Sequence, residues 1–375
     1  MDNFDAYRAD FPITADFTFM NNASISSPST RVVEAVASLF NEFSRKGLEC
    51  YSKWVERVAE VRQLFAGLVQ CSAEEIAFVP NTSEGLGMIA TGLAWKKGDV
   101  ILIPEPEFPA NVYPWLNLER QGVKVRFIKR NGGRFGIAEV DRAMESGTRL
   151  ISVSSVDFLG GFRCDLEALG DYCRRKGLLF CVDAVQSLGL IPMDVKKSGI
   201  HFMAAGSHKW LLSSVGSGIL YISREVNDRV HPNLVGWRSV NNEEDFLKQN
   251  FDLKPNAHRF ETGSMNLPGI YALGAAVELL MEVGVEKIYP YVLELNKILY
   301  DYLKKRNINV VTPMGKNERS GIMTFVPASR PKEFARFLTE NQVMYTSRGG
   351  TIRLSPHFYN NVDDVNAFVS VMDQF

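Results

Sequence analysis

The chain has 375 residues, of which 46% are hydrophobic and 23% are charged, and 42 basic against 43 acidic side chains give a formal net charge of -1. This length predicts two domains, or one large α/β body with an appended piece, around a sizeable core. The balanced charge argues against nucleic-acid binding and against a polybasic membrane surface, and the composition argues against disorder.

The N-terminus and the cysteines narrow the class of protein further. Asp2, Asp5 and Asp10 stand where a signal peptide would carry basic residues, and no apolar run approaches the roughly 20 residues of a membrane span. The number of cysteines, 5, is odd, and they show neither CxxC nor Cys/His ligand spacing. We therefore expect a cytoplasmic protein with reduced thiols, no disulfide framework and no metal site.

Two apolar stripes at helical spacing open the chain and predict two core-facing helices; they comprise Val32, Val36, Leu39, Phe40 and Phe43, then Trp54, Val58, Val61, Phe65 and Leu68. From Glu75 onward, short β-branched or aromatic runs alternate with segments of helical length. The runs cover residues 76–79, 100–103, 125–128, 150–153, 179–182, 202–204 and 219–222. This alternation predicts an α/β body with a mainly parallel sheet.

The pattern changes after about Gly269. A long helical stretch over residues 270–306 is followed by the order strand, strand, helix, strand, strand, helix, which predicts a smaller α+β domain. Residues 241–254 are polar and predict a loop.

The first segment with chemical potential is Asn-Thr-Ser-Glu at residues 81–84, between a predicted strand and a predicted helix. Asn81 and Glu84 have the spacing of a capping box, so the segment is either an ordinary helix cap or a phosphate cradle. Gly85, Gly87 and Ala90 also match GxGxxA, with Glu105 and Glu107 about 20 residues further on. An NAD-dependent dehydrogenase is therefore a minor alternative, although these glycines follow four polar residues rather than the strand itself.

Three further residues stand where α/β enzymes place functional groups. Asp183 follows a buried strand and either caps the next turn or meets a cationic group. Lys209 lies in the small-residue turn AAGSHKW and is either a surface lysine or a Schiff-base nucleophile. Arg353, in a short apolar strand, forms either a structural ion pair or a bidentate carboxylate contact.

A phosphate cradle, a strand-end aspartate, a lysine and a C-terminal arginine, in this order, are the parts of a pyridoxal-phosphate enzyme. Over nearly its whole length the sequence resembles the class V aminotransferase family of fold type I, which includes cysteine desulfurases, kynureninase and isopenicillin-N-epimerase-like proteins. The stretches that carry the resemblance are FMNNASISSPST, NTSEGL, EFPAN, VDAVQSLG, GSHKWL, RFETGSMN and RGGTIRLSPHFYN.

The resemblance implies a fold and a division of the chain. We expect a large domain with a mainly parallel seven-stranded sheet over residues 25–269, and a small α+β domain built from residues 1–24 and 270–375.

The resemblance also implies a cofactor, pyridoxal 5'-phosphate, and residues that bind it. Lys209 corresponds to the lysine that forms the Schiff base, Asp183 to the partner of the pyridine nitrogen, Gln186 to the partner of the phenolic oxygen, and Phe108 to the residue that stacks on the ring. The phosphate contacts correspond to Thr82, Ser83 and His208, with Ser264 reaching the phosphate from a partner subunit. A homodimer with shared sites is therefore implied.

For the substrate, an α-amino acid, the resemblance implies that Arg353 binds the α-carboxylate and that Asn22 and Ala23 line the pocket. The resemblance implies reaction through an external aldimine and deprotonation at Cα, a route that does not by itself fix the outcome. We expect an aminotransferase first, with a β-eliminating carbon–sulfur lyase or an epimerase as alternatives. Arg238 and Arg348 are each either a contact for a second anionic group of the substrate or part of a structural ion pair.

Two departures from the family pattern matter. The serine next to the lysine is Ser207, where many members have serine at the position of Gly206, so its contact with the phosphate is open. The last cysteine is Cys181, whereas cysteine desulfurases need a nucleophilic cysteine on a C-terminal loop. Formation of an enzyme-bound persulfide is therefore not expected.

Overall fold

The computed structural model of the protein describes residues 4–375, so Asp2 and the first three positions of the predicted small domain lie outside the described residues. The helices are α1 (Asp5–Arg8), α2 (Ile13–Asp16), α3 (Thr30–Lys46), α4 (Tyr51–Val69), α5 (Thr82–Gly92), α6 (Tyr113–Leu116), α7 (Ile137–Ala143), α8 (Leu166–Lys176), α9 (Leu267–Val283), α10 (Val285–Lys305), α11 (Pro331–Glu340) and α12 (Val362–Asp373). The strands are β1 (Thr18–Phe19), β2 (Ile76–Val79), β3 (Val100–Glu105), β4 (Lys124–Lys129), β5 (Thr148–Ser154), β6 (Leu179–Asp183), β7 (Phe202–Gly206), β8 (Gly218–Ile222), β9 (Asn309–Val310), β10 (Met323–Val326), β11 (Val343–Met344), β12 (Thr346–Arg348) and β13 (Thr351–Leu354).

The centre of the fold is a seven-stranded sheet in the order β2-β8-β7-β6-β5-β3-β4. Strand β8 runs opposite to the other six strands, so the predicted mainly parallel sheet is confirmed. Strands β6, β7 and β8 are buried along their whole length, between two hydrophobic clusters on opposite faces. Burial on both faces explains why these strands are continuous apolar runs in the sequence.

The carboxyl ends of three parallel strands meet at one edge of this sheet. Ser154 at the end of β5 pairs with Asp183 at the end of β6, and Asp183 pairs in turn with Ala204 of β7. Open α/β sheets bind ligands at such an edge. The fold therefore brings the polar strand ends predicted from separate parts of the sequence next to one another.

The two opening helices form as predicted, but only one of them faces the core throughout. In α4, Trp54 and Phe65 are buried. In α3, by contrast, Phe40 and Phe43 are 51% and 49% exposed, so the prediction of a core-facing stripe is wrong for the second half of that helix. The apolar residues of α3 have helical spacing, but periodicity alone does not distinguish a core from a surface groove.

The predicted helical stretch 270–306 is two helices, because Gly284 adopts φ +89° between α9 and α10. No single helix among residues 4–375 has the length and apolar composition to span a membrane, and only α9 and α10 together, bent by 77°, meet that test.

The C-terminal part contains a four-stranded antiparallel sheet in the order β12-β13-β10-β9. Three short strands follow α11, one more than predicted, because β11 leaves this sheet and pairs in parallel with β1. The N-terminal segment therefore lies against the C-terminal part of the chain. The division into residues 25–269 and residues 1–24 with 270–375 stays a prediction.

Candidate active site

A cavity of about 400 Å³ opens at the carboxyl edge of the large sheet. Its walls are the ends of β6 and β7, the first turn of α5 and the hairpin β12–β13. The structure brings together here most of the residues predicted from the sequence, namely Ala23, Thr82, Ser83, Phe108, Asp183, Gln186, His208, Lys209, Arg348 and Arg353.

Lys209 lies in the loop after β7 and is only 8% exposed. Its Nζ atom is 5.4 Å from the centre of the Phe108 ring. Burial lowers the pKa of this amine to about 8, and the positive charges of Arg353 and Arg348 act in the same direction against the negative charge of Asp183. A larger fraction of the amine is therefore neutral and nucleophilic near neutral pH than for an ordinary lysine.

Asp183 has one satisfied and one unsatisfied carboxylate oxygen. Oδ1 accepts the Val185 N–H at 2.9 Å, whereas Oδ2 is buried and has no partner within residues 4–375. Burial raises the pKa of the carboxyl to about 6, although the Val185 N–H and the charge of Lys209 oppose this. A buried oxygen without a donor favours a ligand that supplies one, and the N–H of a protonated pyridine ring meets this requirement.

Gln186 connects the loop after β6 to two other segments. Its Oε1 accepts the Trp210 indole N–H at 3.0 Å and its Nε2 donates to the Ala23 carbonyl at 3.0 Å. Gly189, at φ +98°, allows this loop to lie against the lysine loop, because a Cβ there would be 2.3 Å from the Trp210 carbonyl oxygen. The side-chain amide is thus fixed at the cavity wall with one N–H left for a ligand.

The first turn of α5 forms the end of the cavity suited to a phosphate. Asn81 caps the helix by accepting the Glu84 N–H at 2.9 Å, and the Thr82 hydroxyl accepts the Gly206 N–H at 2.8 Å. Ser83 is exposed beside them. The segment is therefore a helix cap that also lines the cavity, and the unpaired amides of a helix N-terminus attract anions.

Near the first turn of α5, neither the glycines of the GxGxxA match nor Ser207 is placed to bind a phosphate. Gly85 and Gly87 lie inside α5, and a Cβ on Gly85 would be 2.9 Å from the Ala204 Cβ, so these glycines serve helix packing rather than a dinucleotide-binding turn. The Ser207 hydroxyl donates to the Ser214 carbonyl at 2.6 Å and to the Ser217 carbonyl at 2.9 Å. Ser207 therefore holds its own loop and does not line the cavity.

Arg353 forms the opposite end of the cavity and is 3% exposed. It donates to the Phe158 carbonyl at 2.6 Å, to the Ser24 hydroxyl at 2.8 Å and to the Thr346 hydroxyl at 3.3 Å. Its Nε is buried without a partner, and no carboxylate in the described part of the chain forms an ion pair with it. Burial, with the nearby charge of Arg348, lowers the pKa of the guanidinium to about 10. The structural ion pair considered for Arg353 is absent, and a ligand carboxylate would compensate the buried charge.

The two other candidate arginines differ. Arg348 is exposed, lines the cavity, and has its Cζ 5.5 Å from the centre of the Phe158 ring. Arg238 forms an ion pair with Glu243 at 3.1 Å and lies in a different groove. Only Arg348 is therefore placed to contact a second anionic group.

Two predicted site residues lie outside the cavity. Asn22 is fully buried, and its side chain donates to the Ser355 carbonyl at 2.9 Å and accepts the Tyr359 hydroxyl at 2.8 Å. Because both ends of the amide are occupied, this side chain does not line the pocket, unlike those of Ala23 and Ser24. Ser264 borders two grooves away from the cavity of its own chain.

Residues that the sequence did not single out surround Arg353. Ser24, Phe158 and Thr346 hold or flank Arg353, yet they come from three distant parts of the chain, and no local pattern points to them. None of the five cysteines lines the cavity. Cys181 is buried in β6, where burial raises the pKa of its thiol to about 12.

Comparison with known proteins places this geometry in context. The family model described as aminotransferase class-V matches residues 18–368. A probable cysteine desulfurase from Pyrococcus abyssi is 30% identical, covering 98% of this chain and 96% of the relative. An uncharacterized aminotransferase, YcbU, from Bacillus subtilis is 28% identical over 96% of this chain and 95% of the relative.

Solved structures are similar over the same length. The apo structure of a cysteine desulfurase from Thermococcus onnurineus superposes with a TM-score of 0.92 at 28% identity, covering 100% of this chain and 98% of the other. The cystine C-S lyase C-DES, in complex with cysteine persulfide, gives a TM-score of 0.91 at 22% identity over 97% of this chain and 99% of the other. At that identity the second likeness concerns the fold alone.

Proposed function

The chain belongs to the aminotransferase class-V family of pyridoxal-phosphate enzymes, and within that family we propose that it is a carbon–sulfur lyase, which releases a sulfur leaving group from Cβ of a cysteine-derived amino acid. This is the alternative predicted from the sequence rather than its first choice, transamination. The names of the relatives favour the change, because several are probable cysteine desulfurases. Transamination is the second candidate, since YcbU carries the name of an aminotransferase.

One observation carries the proposal. The buried amine of Lys209 lies between a carboxylate with an unpaired oxygen, Asp183, and a guanidinium that forms no ion pair in the described chain, Arg353, in a cavity that no cysteine lines. The glycines Gly349 and Gly350 join the strands of the hairpin that borders the cavity. A persulfide-accepting thiol is therefore missing from the site, and the sulfur leaving group departs into solvent.

Each polar residue then has a defined task. Pyridoxal phosphate, when bound, withdraws electrons from the substrate bonds at Cα. Asp183 Oδ2 would accept a hydrogen bond from the protonated ring nitrogen, Arg353 would bind the α-carboxylate, and the Lys209 amine would remove the proton from Cα. Because Arg353 is held by groups on three segments, it also fixes which Cα bond lies next to the amine.

The proposed reaction balances without an oxidant or a second amino acid. The proton leaves Cα, the Cβ–S bond breaks with its electron pair on sulfur, and the released enamine hydrolyses to pyruvate and ammonia. L-Cystine and water would give pyruvate, ammonia and thiocysteine; L-cysteine and water would give pyruvate, ammonia and hydrogen sulfide.

The second arginine in the cavity bears on the substrate class. One α-carboxylate engages Arg353, whereas Arg348 is exposed and stacked near Phe158 without an ion pair in the described chain. A substrate with a second acidic group would use both guanidiniums. Cystine has this second carboxylate and cysteine lacks it, so cystine is the preferred substrate of the proposal.

The test is an incubation of the holoenzyme with L-cystine, L-cysteine, L-aspartate and L-alanine, each with and without 2-oxoglutarate. A lyase produces pyruvate and a sulfur product from the sulfur amino acids in the absence of the keto acid. Product formation that requires 2-oxoglutarate and yields glutamate would instead establish transamination.

We also propose that the protein is a homodimer. An apolar groove of about 460 Å³ between α3, α4 and the start of α9 contains Phe40 and Phe43, which are half exposed, and Trp54, whose buried indole N–H has no acceptor in the described chain. Ser264 borders this groove. A second copy would cover the apolar surface, and light scattering should give twice the chain mass, whereas Phe40→Glu should give a monomer. A monomeric wild-type protein that turns over substrate would refute the dimer.

A further inference from the structure

Glu107 is a half-buried carboxylate group beside the cavity, and the reaction assigns no task to it. It lies in the loop between β3 and α6 that carries Phe108, does not line the cavity, and sits one residue before the ring that faces Lys209. Its two carboxylate oxygens accept hydrogen bonds from four donors, and these donors lie on two different segments of the chain.

The first segment is the aromatic loop itself. Oε1 of Glu107 accepts the Phe108 N–H at 2.7 Å, and Oε2 accepts the Asn111 amide at 3.5 Å. The second segment is the end of β5, where the Ser154 hydroxyl donates to Oε1 at 2.7 Å and the Ser154 N–H donates to Oε2 at 3.1 Å. One carboxylate therefore ties the loop with the aromatic ring to the edge of the sheet.

The end of β5 to which Glu107 is hydrogen-bonded lies next to the predicted cofactor site. Ser154 is the register partner of Asp183, so the strand end that holds Glu107 lies directly beside the strand end that carries the unpaired carboxylate. On the loop side, Phe108 contacts the Phe158 ring with centroids 5.3 Å apart. A displacement of the loop would therefore change the distance between the Phe108 ring and the group held by Asp183.

We propose that Glu107 is a positioning residue: it fixes the Phe108 ring at the stacking distance from the cofactor by anchoring the loop to Ser154. This inference rests on the proposed use of Phe108 and Asp183 for the cofactor. A carboxylate suits the task because four donors converge on its two oxygens. Burial raises the pKa of this group to about 7, so the ionised form dominates above that pH. A glutamine amide has one carbonyl oxygen and would set its NH₂ group against a backbone N–H.

The measurement is the dissociation constant of pyridoxal 5'-phosphate for the cofactor-free protein, by absorbance or fluorescence titration without substrate. Glu107→Gln should weaken binding roughly tenfold, in keeping with the loss of charge-assisted hydrogen bonds. The matched control is Glu105→Gln, two residues earlier, whose side chain is 44% exposed and pairs with Lys129 on the surface. The dissociation constant of pyridoxal 5'-phosphate for Glu105→Gln should stay within twofold of the wild-type value.

A double-mutant cycle tests whether Glu107 acts through Phe108. In a Phe108→Ala background, Glu107→Gln should change the dissociation constant by less than twofold, because the ring that it positions is gone. An equal loss in both backgrounds, or no loss in either, would overturn the inference. If Glu107→Gln does not fold by circular dichroism, Ser154→Ala replaces it, with about a threefold loss that also disappears in the Phe108→Ala background.

The result is independent of turnover, so the two proposals can fail separately. Normal cofactor affinity in Glu107→Gln would overturn the positioning role and leave the lyase proposal intact. Loss of affinity through Phe108, together with strictly keto-acid-dependent turnover, would support the positioning role and overturn the lyase proposal.

Discussion

The two ends of the cavity are built in different ways. The cofactor end stands on the carboxyl edge of one sheet, where Asp183 and Lys209 follow neighbouring strands that are only a few dozen residues apart in sequence. The carboxylate end depends on Arg353, whose hydrogen-bond partners Phe158 and Ser24 lie 195 and 329 residues away along the chain. A buried carboxylate with one unpaired oxygen marks the first end, and a buried guanidinium that forms no ion pair in the described chain marks the second. Cofactor binding and substrate binding should therefore respond to different substitutions.

The largest expected effect is at the cofactor end. Asp183→Asn keeps the oxygen that accepts the Val185 N–H but cannot hold the pyridine nitrogen protonated. We expect kcat to fall by roughly 10² to 10³, as when a preorganised electrostatic contact is removed, while the cofactor stays bound to Lys209. Absorbance spectra measure the cofactor content and steady-state assays measure kcat. Turnover within threefold of wild type would remove Asp183 from the mechanism.

A smaller loss is expected at the carboxylate end. Arg353→Lys replaces a planar guanidinium by a point charge. The lower kcat/KM should correspond to a loss of about 2 to 4 kcal/mol of transition-state stabilisation. Cofactor content and spectrum should stay unchanged, because no contact proposed for the cofactor involves Arg353.

Arg348→Lys, on the same hairpin, is the matched control for Arg353→Lys and should change kcat/KM for cysteine by less than threefold. Loss of cofactor with retained substrate affinity in Arg353→Lys would make Arg353 a structural residue.

A difference between substrates should identify the second arginine. Arg348→Gln should lower kcat/KM for cystine by roughly fivefold, a value typical of a solvent-exposed ion pair, and should leave kcat/KM for cysteine within twofold. The ratio of the two values, measured in parallel, is the readout. Equal losses for both amino acids would assign Arg348 to the α-carboxylate or to the fold.

The smallest effect is a shift on the pH axis. If Lys209 holds the cofactor as proposed, its neutral amine is the reacting form. Because burial lowers the pKa of this amine to about 8, the rate of cofactor capture should rise with pH and level off above about pH 8. The charge of Asp183 raises this pKa and that of Arg348 lowers it. The midpoint should therefore move to lower pH in Asp183→Asn and to higher pH in Arg348→Gln. A rate that keeps rising to pH 10 in the wild type would contradict the lowered pKa.

The two ends of the cavity also differ in how far the sequence predicts them. The sheet and the placement of Asp183 and Lys209 at its edge were predictable, since buried parallel strands are continuous apolar runs and these residues stand at or just after their ends. The carboxylate end was only partly predictable: Arg353 was identified, but its partner Ser24 and the buried contact of Asn22 with Tyr359 join opposite ends of the chain. Long-range contacts of this kind leave no local pattern.

The exposed side of α3 also could not be predicted from the local sequence pattern. Phe40 and Phe43 have the periodicity of a core stripe, yet they lie in an open groove of the described chain. Glu107 was noticed only as part of a dinucleotide motif, because its hydrogen bonds to Ser154 depend on the pairing of β5 with its neighbours. In both cases the tertiary environment, rather than the residue pattern, decides the role.

The central claim is that Lys209 is the residue that holds the cofactor, and one measurement tests it directly. Sodium borohydride reduction of the purified holoenzyme, followed by proteolysis and mass spectrometry, should place a phosphopyridoxyl group on the peptide containing Lys209 and on no other. The yellow absorbance should disappear on reduction. A label on a different lysine, or a cofactor that dialyses away after reduction, would contradict the account of both ends of the cavity.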